Sequence, residues 1–412
     1  MFGLKKTEQN ETIVDTNPEK IEELLTRGIE RIYPNINFLK AKMLRGEKVT
    51  LYLGIDPTGK TLHLGHVIPL KKLAAFQKLG HHIILLMGDF TAMIGDPTDK
   101  TAARKQLTRE EVLENLKEYK KQASKFISFT GNNPASFKFN SEWLDKLSYK
   151  EGLELASLMT VQQMLERDMF KKRIESHEPI YIHEFMYPLM QGYDSVAMDV
   201  DGEIGGNDQT WNMLAGRDIL KALKNKEKFV VATRLLTDST GKKMGKTENN
   251  MVALNQTPED MFGKVMSWSD DLLLPGFEIV TDVSLSEILS IKKSLGSGSN
   301  PRDFKIKLAR EIVSMCHGEK EAQDAQENFE KTFAKGGVPD DVLELIIATG
   351  TLLVDVLLSE NIISSKNEWR RLVEEGAVTN MHKDEKIHDV ATTVESGVYK
   401  IGKRRFVKIQ TQ

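Results

Sequence analysis

At 412 residues, with about 100 to 200 residues expected per domain, the chain has room for two to four domains, each able to bury its own core. Hydrophobic residues at 40%, charged residues at 28%, and the lack of any apolar run near the roughly 20 residues that span a bilayer exclude a membrane-embedded class. A formal net charge of -3 excludes a surface that is basic all over, but leaves room for a local patch such as Lys400, Lys403, Arg404, Arg405 and Lys408.

Met1 to Lys20 is polar, with no apolar stretch behind a basic start, so no secretory signal is expected. The single cysteine, Cys316, cannot form an internal disulfide, and a cytoplasmic protein follows as the expectation. Val49 to Leu53 and Ile83 to Met87 are apolar runs that stop at Gly54 and Gly88, and both read as buried strands. Between them Val67, Leu70, Leu73, Ala74 and Gln77 follow helical spacing, with Pro69 in the first turn and Gly80 just past the end. This β-loop-α-β unit predicts parallel strands. Further strands are expected around Ser195 to Val200 and Phe229 to Ala232, giving a doubly wound α/β core over residues 1–235. Residues 236–342 read as a helical domain, broken at Gly296-Ser-Gly-Ser-Asn-Pro301 and including a helix over Arg302 to His317. Residues 343–412 read as a small α+β domain of short helices followed by strands at Val398 to Ile401 and Arg405 to Ile409.

Two motifs carry chemistry. Tyr52-Leu-Gly-Ile-Asp-Pro-Thr58 runs on through His63-Leu-Gly-His66 and lies at the end of a predicted strand as it enters a helix, where open α/β sheets bind ligands. His63 and His66 are three apart, so both rings face one side of a first helical turn, beside free backbone N–H groups and the positive end of the dipole. That suits a phosphate chain, and Gly65 lets a base or ribose approach the backbone. A zinc site lacks further Cys or His at ligand spacing, and the Gly-x-Gly-x-x-Gly and Walker patterns are missing here. Thr237-Asp-Ser-Thr-Gly-Lys-Lys-Met-Gly-Lys-Thr247 is a cationic, glycine-rich loop suited to close on a triphosphate and neutralise a departing pyrophosphate.

Together, in this order, the motifs resemble the two signatures of class I aminoacyl-tRNA synthetases. Gly88-Asp-Phe-Thr-Ala-Met-Ile-Gly-Asp-Pro97, His183-Glu-Phe-Met-Tyr-Pro-Leu-Met-Gln-Gly-Tyr-Asp194, Gly205-Gly-Asn-Asp-Gln209 and Asn300-Pro-Arg-Asp-Phe-Lys305 narrow the resemblance to the tyrosyl-tRNA synthetase family. The lysine motif reads Lys-Met-Gly-Lys-Thr where Lys-Met-Ser-Lys-Ser is commoner, and Asn207 stands where Ser or Thr is usual. The resemblance implies a Rossmann-like catalytic core, ATP and magnesium, L-tyrosine, tRNA(Tyr) and a homodimer.

It also implies roles. Tyr187, Gln191 and Asp194 stand at i, i+4 and i+7, one polar helix face amid Phe185, Met186, Leu189 and Met190. By resemblance Asp194 and Tyr52 meet the substrate phenol, Tyr187, Gln191 and Asp96 its ammonium, and Gln209 its carboxylate. A site that satisfies a phenolic hydroxyl rejects phenylalanine, whose binding would leave buried polar groups unpaired, a principle worked out on this same enzyme family. An acidic group here favours a phenol over the indole of the tryptophan enzyme. ATP is expected to place its phosphates near Thr58, His63 and His66 and its ribose near Gly206 and Asp208, with Gly54, Asp56 and Gly65 lining the site. Lys100, Arg104, Lys243, Lys246 and Thr247 are expected to stabilise pyrophosphate. No protein metal ligands are expected.

Ile363 to Val378 and Gly402 to Lys408 resemble the small RNA-binding domain of ribosomal protein S-four. Lys366, Arg370 and Arg371 with Lys403, Arg404 and Arg405 are the implied tRNA contacts. A catalytically weak RNA-binding paralogue, or another nucleotidyltransferase with the same histidine signature, is the competing reading.

Overall fold

The computed structural model describes residues 13–98, 106–237, 251–333, 342–360, 362–381, 383, 385–402 and 405–412. Two compact units divide at Glu319/Lys320.

The first unit is built on six strands: β1 (Ile29–Tyr33), β2 (Thr50–Ile55), β3 (His82–Met87), β4 (Ser136–Phe139), β5 (Gly202–Gly206) and β6 (Phe229–Thr233), in the order β1-β6-β5-β2-β3-β4. All neighbours run parallel except β1, which closes one edge antiparallel to β6. Strands β2, β3 and β6 are apolar on both faces because helices cover both sides, the usual state of a parallel sheet. The helix Leu64–Lys78 links β2 to β3 and buries Leu64, Val67, Ile68, Leu70, Leu73, Ala74 and Phe76. Chain order runs outward from β2 through β3 to β4, then returns to β5 on the other flank of β2. The resulting switch point, between the carboxyl ends of β2 and β5, is where such sheets hold ligands.

One expected strand is corrected. Ser195 to Val200 does not form a strand: the helix Ile182–Met198 runs through most of it, and Asp199, at φ 50°, ends that helix in the left-handed region. The strand is β5, Gly-Glu-Ile-Gly-Gly, which carries little β-propensity of its own. It is held by pairing on both sides and by close packing, since a Cβ at Gly202 would lie 2.1 Å from the Phe229 ring. Packing context outweighs the β-branched signal of the preceding segment.

Helices Pro258–Met266, Leu273–Val280, Leu285–Gly296 and Pro301–His317 belong to the first unit, the last close to the expected span. Arg27 donates to the Glu278, Phe277 and Thr281 carbonyls, and Arg234 pairs with Glu278 at 2.8 Å, tying these helices to the sheet. Asn300 caps Pro301–His317 through the Arg302 N–H, so the expected break is a helix start.

The second unit carries a five-stranded sheet in the order β7-β11-β10-β8-β9: β7 (Leu343–Ile347), β8 (Val378–Asn380), β9 (Glu385–Lys386), β10 (Gly397–Ile401) and β11 (Arg405–Thr411). Helices Leu353–Ser359 and Lys366–Glu374 supply its core of Leu353, Val356, Leu357, Trp369 and Val373, closed by Tyr399, Val407 and Ile409. Strands β10 and β11 match the expected pair; β7, parallel to β11, was not expected. No helix among the described residues is long and apolar enough to cross a membrane.

Candidate active site

The floor of the switch point is a buried polar cluster. Asp194 is 3% exposed, accepts the Trp143 indole N–H at 2.8 Å on Oδ1 and the Asn140 amide at 3.4 Å on Oδ2. Burial holds its carboxyl well above the usual range, against the pull of those two donors, with Glu203 and Asp56 adding to the rise. A carboxylate so placed gains strongly from one more donor. Tyr52, fully buried in β2, has its hydroxyl 3.1 Å from Ser195 Oγ, and burial pushes the phenol up, so it stays a neutral hydroxyl.

Beside this floor the helix Ile182–Met198 presents Tyr187 and Gln191. Tyr187 donates to Asp56 Oδ2 at 2.8 Å, and Thr91 donates to Asp56 Oδ1 at 2.7 Å. Gln191 donates to Glu203 Oε1 at 3.0 Å. Asp96 sits in a third group: Oδ2 accepts the Gln209 amide at 2.8 Å, while Oδ1 accepts the Thr98 hydroxyl at 2.6 Å. Asn212 donates to Gln209 Oε1 at 3.1 Å, and Arg167 donates to Thr98 at 2.9 Å while stacked over Trp211 at 4.5 Å. Acceptors thus converge from strand ends, a loop and a helix, an arrangement that suits a small zwitterion with a hydroxyl at its far end.

Next to it lies the histidine turn. His63 caps the helix Leu64–Lys78, its Nδ1 accepting the Gly65 N–H at 3.1 Å, and His66 Nδ1 accepts the His63 N–H at 3.2 Å. The ring centroids are 3.9 Å apart, so the two imidazoles stand side by side at the positive end of a helix of 15 residues. A Cβ on Gly65 would lie 2.9 Å from the His63 ring, so glycine is what lets the turn close. Leu62 to Leu64 is joined to Val252 to Leu254 by backbone bonds, Leu64 N–H to Val252 O at 3.0 Å and Leu254 N–H to Leu62 O at 2.9 Å. Chain directly following the lysine motif is therefore stitched to the histidine motif.

A sheet with this switch point, a buried carboxylate near a tyrosine, and a histidine-capped helix start have the chemistry that an amino acid and a nucleotide would call for. The family profile described as "tRNA synthetases class I (W and Y)" matches residues 44–334. A tyrosine–tRNA ligase 2 from Vibrio vulnificus is 43% identical over 390 residues, 93% of this chain and 97% of that protein. The chain belongs to the tyrosyl-tRNA synthetase family. The tyrosine–tRNA ligase of Carboxydothermus hydrogenoformans is 42% identical over 404 residues, 94% of this chain and 97% of that one. Among solved structures, a C-terminally truncated mitochondrial tyrosyl-tRNA synthetase from Coccidioides posadasii aligns with a TM-score of 0.61 at 27% identity, over 75% of this chain and 90% of that chain.

Of the residues expected from family resemblance, Tyr52, Asp194, Tyr187, Gln191, Asp56, Asp96 and Gln209 are embedded in the hydrogen-bonded groups just described, and His63, Gly65 and His66 form the adjacent turn. Gly54 and Thr58 are exposed on the strand exit. Gly206 and Asp208 are neighbours, a Cβ on Gly206 falling 2.6 Å from Asp208 Oδ1. Lys100, Arg104, Lys243, Lys246 and Thr247 lie outside the described residues, as do Lys403 and Arg404. In the second unit Lys366, Arg370 and Arg371 are exposed on the helix whose other side buries Trp369, Leu372 and Val373. Arg405 is turned inward, donating to Glu368 at 2.8 Å and to the Ile362 carbonyl.

Sequence reasoning missed Asn140, Trp143, Ser195, Glu203 and Lys228. Asn140 and Trp143 follow β4, about fifty positions from their partner Asp194, and belong to no spaced motif. Glu203 and Lys228 are masked by their neighbours: Glu203 ends Asp199-Val-Asp-Gly-Glu203 and Lys228 ends Lys224-Asn-Lys-Glu-Lys228, charge-rich stretches that read as solvated loops although both side chains are buried.

Proposed function

We infer that this tyrosine–tRNA ligase activates L-tyrosine with ATP to tyrosyl-adenylate and pyrophosphate, then passes the tyrosyl group to the 3′-terminal adenosine of tRNA(Tyr). The observation that supports the tyrosine assignment best is buried Asp194, both of whose oxygens face donors, next to the Tyr52–Ser195 pair. In this reading Asp194 and Tyr52 bind the phenol, Tyr187, Gln191 and Asp96 the ammonium, and Gln209 the carboxylate. The carboxylate attacks the α-phosphorus of ATP and expels pyrophosphate; being already ionised, it needs no general base, so the protein's task is positioning and charge stabilisation. Thr58, His63 and His66 would hold the phosphates, Gly206 and Asp208 the ribose, with Gly54, Asp56 and Gly65 lining the pocket. Lys100, Arg104, Lys243, Lys246 and Thr247 would draw off charge from the pyrophosphate.

Magnesium belongs to the substrate side of this scheme. It would arrive on the ATP phosphates and neutralise part of their charge. The helices Tyr149–Ala156, Val161–Leu165, Asp168–Glu175 and Ile182–Met198 each expose large apolar side chains, Tyr149, Leu153, Val161, Ile174 and Ile182 among them, which a homodimer contact would cover. The buried free Cys316 fits the reducing cytoplasm. We assign residues 1–235 to catalysis, 236–342 to the lysine motif and helices, and 343–412 to RNA. Lys366, Arg370 and Arg371, together with Lys403 and Arg404, would meet tRNA phosphates, with Arg405 bracing that surface through Glu368.

The test is ATP–pyrophosphate exchange with tyrosine, phenylalanine and tryptophan, without tRNA. Exchange is expected with tyrosine alone and to fall at least tenfold in His63→Ala; parent-rate exchange in that variant would remove the phosphate assignment. Deleting residues 343–412 is expected to spare exchange while raising the tRNA requirement; equal loss of both steps would contradict the tail's role.

A further inference from the structure

Glu203 and Lys228 form an ion pair that is out of solvent on both sides, at 2% and 0% exposure. Tyr52 on β2 and Glu203 on β5 are direct partners across the switch point. Lys228 stands immediately before β6. The pair does not close on itself. Glu203 Oε2 accepts from Lys228 while Oε1 accepts the Gln191 amide at 3.0 Å. Lys228 Nζ also donates to Ser195 Oγ at 2.8 Å, and Ser195 Oγ lies 3.1 Å from the Tyr52 hydroxyl. The same ammonium sits 5.8 Å from the centre of the Tyr52 ring. One buried pair therefore holds two separate pocket residues, one at each end.

Stability does not account for this arrangement. Stripping water from two charges costs about as much as their attraction returns, and well-packed apolar residues of the same size serve as well or better. What a buried pair supplies is fixed geometry. With Lys228 donating to Ser195, the serine hydroxyl proton is free to point at Tyr52, so that the Tyr52 O–H can be donated onward to a ligand. With Glu203 accepting from Gln191, the Gln191 amide is locked with its Oε1 turned away from Glu203, and that buried oxygen has no hydrogen-bond partner in the described structure. An unmatched acceptor beside the pocket suits a ligand ammonium.

We propose that Glu203 and Lys228 are positioning residues for tyrosine, orienting Gln191 directly and Tyr52 through Ser195, so that loss of the pair weakens tyrosine binding and selectivity rather than ATP use. This rests on the tyrosine-pocket reading above. Two variants test it by pyrophosphate exchange. Glu203→Gln/Lys228→Met removes both charges together, leaving neither one stranded. Ser195→Ala keeps the pair and cuts only its link to Tyr52. The double variant is expected to raise the KM for tyrosine about tenfold, and Ser195→Ala about fivefold, as hydrogen bonds to charged and neutral groups are lost. In both, the KM for ATP should stay within about twofold and the preference for tyrosine over phenylalanine should fall. A parent KM for tyrosine in Ser195→Ala overturns the proposal, and this variant decides if the double variant does not fold. A joint rise of both KM values in folded protein also overturns it, since a general packing defect would do that. Tyr52→Phe serves as the control: if it too leaves tyrosine KM unmoved, the pocket reading fails, whereas if it alone raises KM, only the role of the pair fails.

Discussion

Replacing Asp194 with asparagine keeps the side chain's size and removes one acceptor. Trp143 can only donate, and it points at Oδ1 from 2.8 Å. The Asn140 amide is fixed as well, because its Oδ1 accepts the Phe90 N–H at 2.9 Å and its Nδ2 donates to Thr91 at 3.0 Å. Asn140 therefore also presents a donor, at 3.4 Å from Oδ2. Asparagine at 194 has one oxygen for two donors, and its own NH2 must face a donor or the ligand. A ligand phenol then loses a charge-assisted acceptor, a bond worth about 1.5–3 kcal/mol, or roughly 10- to 150-fold in kcat/KM. Phenylalanine has no hydroxyl to lose, so its kcat/KM is expected to change by no more than about twofold, and discrimination should shrink by nearly the whole factor. Unfolding free energy is expected to move little, because removing a charge that burial disfavours offsets the stranded donor. Pyrophosphate exchange with both amino acids measures the effect. Equal losses for tyrosine and phenylalanine, or a tyrosine value within twofold of the parent, would show that Asp194 does not read the phenol.

Gly88→Ala puts a Cβ 1.9 Å from Asp56 Oδ1 and 2.4 Å from Thr91 Oγ1, at the carboxylate that accepts from Tyr187. It is expected to cost about 1–3 kcal/mol of stability by overpacking and to lower tyrosine kcat/KM at least tenfold; parent-like values in urea unfolding and exchange would refute the crowding. His81 is fully buried against Phe76, and burial, with Lys48 adding to it, lowers its ring from 6.5 to about 4. Below pH 6.5 the unfolded chain takes up a proton that the native ring refuses, so this contribution is complete above pH 6.5 and is lost as pH falls towards 4. The gap is worth about 3 kcal/mol, and urea unfolding of His81→Leu should show a flatter pH dependence over that window than the parent. An unchanged slope would locate the acid sensitivity elsewhere.

The parts of the fold written into local sequence were legible. β2 and β3 announce themselves as continuous apolar runs, and Leu64–Lys78 and Pro301–His317 carry their caps and periodicity in the open. β5 was misplaced because three of its five residues are glycine, so its identity lies in its neighbours β2 and β6 and in the Phe229 ring. The same division holds in the site. His63 and His66, or Tyr187, Gln191 and Asp194, are regular spacings on one helix, and helical geometry converts such spacing directly into a shared face. Trp143 reaches Asp194 only after the chain has crossed from β4 to another helix, and Glu203 meets Lys228 only because β5 and β6 pair. Contacts made by topology leave no periodic trace in the chain.

The join between Leu62–Leu64 and Val252–Leu254 is made entirely of main-chain groups. Side-chain substitutions on either stretch leave those donors and acceptors in place, with proline at 64 or 254 the exception because it removes the N–H. Evolution can therefore edit the lettering on both sides of the seam independently.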